Sequence, residues 1–209
     1  MLTTPTLTAL ATALAIGLPH PAPAASRPDS ISRAAFHDAM RQLWEDHIVW
    51  TRLFIVSATN DLPDAPATTE RLLRNQRDIG DAIAPFYGAA AGAALTTLLR
   101  GHILTAAQLV AAAKAGDTTA ASRASAHWYA NADSIAAFLS AANPEHWPLA
   151  ALRAGMRMHL DLTLQEAVAR LHGDYAADVA AYDAIHRHIL QLADLLSDGI
   201  IGQFPRRFN

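Results

Sequence analysis

Residues 102–117, HILTAAQLVAAAKAGD, and residues 159–174, HLDLTLQEAVARLHGD, decide the fold. Each opens on a histidine (His102, His159) and closes fourteen residues later in Gly-Asp (Gly116-Asp117, Gly173-Asp174). Gln108 and Gln165 align at the same offset of 57, as do Ala112 and Ala169. Apolar residues between them recur at steps of three and four, which is the period of a helix. A glycine can end a helix in the left-handed region, and an aspartate behind it can cap the next one. Each stretch therefore predicts a helix, a tight turn and a second helix running back. A looser copy precedes them, with His47 55 residues before His102 and Asn60-Asp61 in place of Gly-Asp. A period of 55–57 suits a helical hairpin used three times.

Working outward, the same periodicity covers the chain beyond Ser30, and almost nothing alternates with period two. Helix 1 is expected from about Ser32 to Asn60, with Phe36, Met40, Leu43, His47, Trp50 and Phe54 on one stripe. Asp61 to Pro66 reads as a turn because of its two prolines. Helix 2 starts near Thr68 and is ended or kinked by Pro85 and Gly88. Helix 3 runs from about Ala90 to Ala115 and helix 4 from Asp117 to Ala142. Asn143-Pro144 breaks the chain, and Pro148 fits the first turn of helix 5. Helix 6 runs from about Asp174 to Ile201. Short connections make successive helices antiparallel neighbours. The fold class is all-α: a single-domain antiparallel six-helix bundle over residues 32–209, built as three tandem hairpins where the repeat holds. From Gly88 to Ala113 the only charged side chain is Arg100. An arginine near the middle argues against a membrane span, and a helix buried by its neighbours explains the run. Its small residues allow close helix approach.

Composition sets the outer limits. The 209 residues are 52% hydrophobic and 17% charged, with a net charge of −3, which excludes a disordered chain. No basic excess is available for nucleic acid. With no cysteine there is no thiol nucleophile, disulfide or zinc ribbon. Neither a Gly-x-Ser-x-Gly elbow nor a phosphate-cradling glycine loop occurs. Thr6 to Leu18 form an uncharged run of about thirteen residues, followed by Ala22-Pro23-Ala24. This reads as a signal peptide over residues 1–24, cut before Ala25, with a short flexible segment over 25–31. The mature chain is then periplasmic or secreted, or cytoplasmic if the start codon is misassigned.

One polar layer is expected to cross the bundle. His47, His102 and His159 occupy stripes otherwise filled by Phe, Leu, Met and Trp. Counting through the turns puts Asn131 level with His102, His186 level with His159, and the region Asp78 to Gly80 opposite His47. Neutral imidazoles on facing helices are good ligands for zinc, copper, nickel or iron. The expected metal ligands are His47, His102, His159 and His186. Asp183 or Glu166 would be the general base of a metal-assisted hydrolase or transferase, and Asn131 and Trp50 would contact a small ligand. Glu166 needs a partner such as Asp178 to act as one of an acid–base pair. His188 is expected at the surface. Arg71, Arg74 and Arg77 form a ridge that reads as a solvated face. The competing reading is a non-enzymatic structural or interaction bundle whose histidines pack the core. Homo-oligomerisation is compatible with either.

Three segments carry a resemblance: Leu43-Trp44-Glu45-Asp46-His47-Ile48-Val49-Trp50-Thr51-Arg52, Gly173-Asp174-Tyr175-Ala176-Ala177-Asp178 and Gln203-Phe204-Pro205-Arg206-Arg207. Together they resemble an uncharacterised family of small all-helical bacterial proteins, over roughly residues 33–208. The resemblance implies a bacterial source and an intact helical domain. It supplies no catalytic residues, and the glycosyltransferase label that some members bear has no support in these positions.

Overall fold

Ser32 starts the first helix by accepting a hydrogen bond from the Ala35 amide at 3.4 Å. In the computed structural model, which describes residues 30–209, six long helices follow: α1 (Arg33–Thr59), α2 (Ala65–Tyr87), α3 (Ala89–Lys114), α4 (Thr118–Ala142), α5 (Leu149–Leu171) and α6 (Tyr175–Gln203). A single 3-10 turn, Pro205–Arg207, closes the chain. The leader expected over residues 1–24 lies outside the described residues. Among those described, no helix is long and apolar enough to cross a membrane.

The expected boundaries hold to within a few residues, and proline accounts for the differences. Pro66 sits in the first turn of α2, where its missing N–H costs nothing, so the helix starts before it. Pro85 lies inside the last turn, and α2 continues through it to Tyr87. Asp117 and Asp174 cap α4 and α6, accepting from the Ala120 and Ala177 amides at 2.9 and 3.0 Å.

Each helix packs on its neighbours in the chain, and α6 returns to α1, so the bundle is a closed ring. Helix α1 also touches α3 and α5. The α2–α3 pair approaches through Gly80 and Gly92. A Cβ added at Gly92 would stand 2.6 Å from the Gly80 carbonyl oxygen, so the small-residue run of α3 does allow close contact.

The ends of the described chain are fastened together. Ile31, in the segment expected to be flexible, donates to the Arg207 carbonyl at 2.9 Å and accepts from the Asn209 amide at 3.1 Å. Phe208 is buried against Phe36 and stacks on Phe86, with centroids 5.1 and 5.6 Å apart. Phe204 packs on Phe86 and Tyr87, completing an aromatic plug at this end. A main core runs from the plug to Trp128 and Leu160, while Phe54, Ile55, Leu72, Ile103, Val110 and Ala167 form a smaller cluster.

Candidate functional site

The three hairpins share one polar frame, and it repeats at the level of single atoms. Fourteen residues after His47, His102 and His159 come Asp61, Gly116 and Gly173, each with positive φ (53°, 70° and 73°). The next amide reaches back five residues in every case: Leu62 to Ser57, Asp117 to Ala112, Asp174 to Ala169. The first copy is thus one residue later than Asn60-Asp61 suggests, with aspartate tolerated where the others need glycine.

Twenty-nine residues after each histidine stands its partner on the returning helix: Gln76, Asn131 and His188. Gln76 meets His47 Nδ1 at 3.2 Å and Asn131 meets His102 Nδ1 at 3.1 Å. His188 lies over His159, ring centroids 6.5 Å apart. The returning helix also grips the carbonyl four residues before each histidine. Asn75 donates to Leu43, Asn131 to Leu98 and His188 Nε2 to Gly155, at 2.9, 3.1 and 2.9 Å.

These contacts fix the protons. Asn131 spends its amide N–H on Leu98, so its oxygen faces His102 and Nδ1–H donates to it. His102 Nε2 is then bare and accepts from the Trp128 indole N–H at 3.1 Å. Gln76 donates to the Leu72 carbonyl and to His47 Nδ1 from the same nitrogen. His159 is the hub, with centroids 5.6 Å from His47 and 6.3 Å from His102. Its Nδ1 is buried without a hydrogen-bond partner. Burial pushes His47 and His102 down to about 3, and His159 well below its ordinary range; neighbouring imidazoles push further the same way. All three are neutral.

One turn beyond this layer is a mostly enclosed apolar cavity of about 40 Å³. Its lining includes Thr51, Ala106 and Thr163, each four residues after a layer histidine and so on the same helix face. Both threonine hydroxyls are committed to their own helices, donating to His47 O and His159 O at 2.7 and 2.8 Å. Trp128, which donates to His102, is also part of the wall. The cavity therefore offers no free polar group from these side chains.

A buried ion cluster interrupts the threefold pattern between α1, α5 and α6. Arg52 Nη1 donates to Glu166 and to Asp178, both at 2.7 Å, and Arg170 reaches Asp178 at 3.3 Å. Glu166 and Asp178 are 1% exposed. Burial pushes the Glu166 carboxyl up to about 7, with Arg52 pulling it back. Glu166 and Asp178 thus meet, as a pair bridged by a guanidinium.

The structure brings His47, His102, His159 and Asn131 together as expected, and leaves out the other candidates. The buried stripe of α6 is Asp178, Ala181, Ile185, Ile189, Leu192 and Leu196. His186 falls one residue off it and instead binds Glu45 at the surface, at 2.8 Å. Counting 29 from His159, as from His102 to Asn131, leads to His188; the assignments of these two histidines are exchanged. His47 faces Gln76 rather than Asp78 to Gly80. Asp183 is exposed, and Trp50 lies half-buried beneath the Arg71 guanidinium, 4.9 Å away. Trp128, Gln76 and Arg52 enter the site unannounced by any motif. Among the described residues no three His, Asp or Glu side chains are grouped so as to hold a metal ion. The chain matches no family model, no curated protein and no solved structure.

Proposed function

We propose that the bundle is a binding protein that takes a small, largely apolar molecule, or the apolar end of a larger one, in the chamber beyond its histidine layer. The observation that carries this reading is the enclosed cavity, lined from α1 to α5 and without a free hydroxyl. Close-packed interiors leave few voids larger than a water, and apolar ones stay dry and accept apolar guests. About 40 Å³ holds roughly three water-sized groups. The hydrogen-bonded layer beneath keeps the helices apart at a fixed height.

Xenon and propane, each of about the size of three water-sized groups or less, are suitable probes. A ligand that binds only the native state at a hundred times its Kd stabilises by about 2.7 kcal/mol, or roughly 5–10 °C in a domain of this size. Ala106→Leu fills the chamber, so it should remain folded and lose the response. If neither probe raises the melting temperature, or if Ala106→Leu responds like the parent, the reading is wrong.

Metal binding is the second reading, supported by the neutral His159 imidazole lying against both His47 and His102 with its Nδ1 unpartnered. Zinc, copper, nickel or ferrous ion would engage His159 first, since the bare nitrogens of His47 and His102 already accept from Gln76 and Trp128. Elemental mass spectrometry on tag-free protein dialysed free of metal tests it. About one metal per chain, lost in His159→Ala, is the expected result; none retained after reconstitution rejects it. The uncharged run and Ala22-Pro23-Ala24 support export, with Ala25 as the expected first residue of the mature protein.

A further inference from the structure

Arg71, Arg74 and Arg77 step along α2 at intervals of three, and Arg100 approaches them from α3. We propose that the concavity these four arginines frame is a binding site for a small, multiply charged oxyanion of the phosphate or diphosphate type. The site lies on the outer face of the α2–α3 pair and does not rest on the chamber reading.

The four guanidinium groups line one surface pocket of about 510 Å³, within the range of small-molecule sites. Glu70 is the only carboxylate in its wall among the described residues, and Asp46 just outside it neutralises Arg71, so the pocket keeps a local charge of about +2 in a chain whose net charge is −3. Among the described residues, Arg74, Arg77 and Arg100 make neither an ion pair nor a side-chain hydrogen bond. Arg71 is held in place by the Asp46 carboxylate at 3.0 Å and by the Trp50 ring beneath it. Its other terminal nitrogen, Nη1, is buried with no partner. Arg71 is thus a fixed cation at the inner edge of the pocket, and three more cations border the same space. Planar guanidinium forks match the paired oxygens of a phosphoryl group. Arg71 to Arg77 spans about 9 Å along the helix axis, enough for two such groups side by side. The concave shape, with cations from two helices, favours a small anion over an extended polymer or a flat membrane.

Inorganic pyrophosphate is the probe, followed by calorimetry on the full chain. We expect saturable one-to-one binding at 50 mM salt, weakened at least about tenfold at 500 mM as screening shortens the reach of the charges. Arg74→Gln with Arg77→Gln, and separately Arg100→Gln, should each weaken binding by about tenfold or more; none of these side chains supports the core. Arg123→Gln, a surface arginine on α4, should bind like the parent. Binding that survives both sets of changes, or falls equally in Arg123→Gln, overturns the site. So does the absence of saturation by pyrophosphate, and so does capture by phosphatidylglycerol vesicles without it, which would mark a merely electrostatic surface.

Discussion

His102 shows how one side chain can be specified by its surroundings. Asn131 determines which ring nitrogen carries the proton, and Trp128 occupies the other, so the ring is neutral and satisfied at both ends. Trp128→Phe keeps the shape nearby and removes that donor. The bare nitrogen is then buried without a partner, at a cost of about 1–3 kcal/mol measurable by urea unfolding. A smaller effect would mean that the indole contributes by packing alone. Glu166 carries a second residue-scale prediction. Its folded pKa is raised to about 7, so the stability linked to it is complete below the ordinary carboxyl range near 4.5 and is lost as pH rises through 7. Glu166→Gln should therefore gain on the parent between pH 5 and pH 8, by on the order of 2–3 kcal/mol. Parallel curves for the two proteins across that range would show instead that Arg52 holds Glu166 ionised throughout. His186 and Asp183 illustrate the limit of reading residues one at a time. Both have the right chemistry, and a rotation of one residue about α6 places them on the wrong face.

At the scale of elements, the helices were legible because each carries its own punctuation: Asp117 and Asp174 as caps, Gly116 and Gly173 as stops. These are local signals, and local signals survive in a sequence. The two departures, the early start of α2 and its passage through Pro85, follow from where in a turn a proline falls, which the sequence leaves open. The partner offset of 29 was also latent in the chain, since His47, His102 and His159 all obey it. It could not be weighed without knowing how tightly each turn closes. The close α2–α3 contact gives a test that belongs to the element. Gly92→Ala places a methyl group 2.6 Å from the Gly80 carbonyl oxygen, on a backbone that cannot step aside as a flexible side chain would. We expect a loss of about 1–3 kcal/mol in chemical unfolding despite alanine's better helix propensity. A neutral or stabilising result would mean that the two helices slide apart without penalty.

For the whole molecule, the ring closure of α6 on α1 and the pairing of Ile31 with residues 207–209 had no signature in the sequence. Long-range contacts of this kind depend on how all six helices add up. The same is true of the Arg52 cluster, which joins residues 114 and 126 positions apart. The histidine layer gives the molecule a collective property. Three imidazoles are buried neutral but would be protonated near pH 6.5 in the unfolded chain, so stability falls as pH drops below 6.5 toward the lowered folded values. At pH 5 each contributes a loss of about 2 kcal/mol, roughly 6 in all, against at most about 3 regained from Glu166. The histidines dominate, and that sum is comparable with the whole stability of a typical domain. Acid unfolding monitored by circular dichroism should therefore take up about two protons net in one cooperative step between pH 6 and 4.5, nearly three gained by the histidines less the one that Glu166 partly releases. Uptake of one or none would show that the layer admits water.

The clasp between Ile31 and Phe208 also fixes where force enters the molecule. Both ends of the described chain leave at one point on the aromatic plug, so a pull on them strains that short ladder before it reaches any helix. Once the clasp parts, α1 and α6 are drawn from each other and the ring opens at a single seam, like a bracelet at its catch, with the remaining helices still joined in a row.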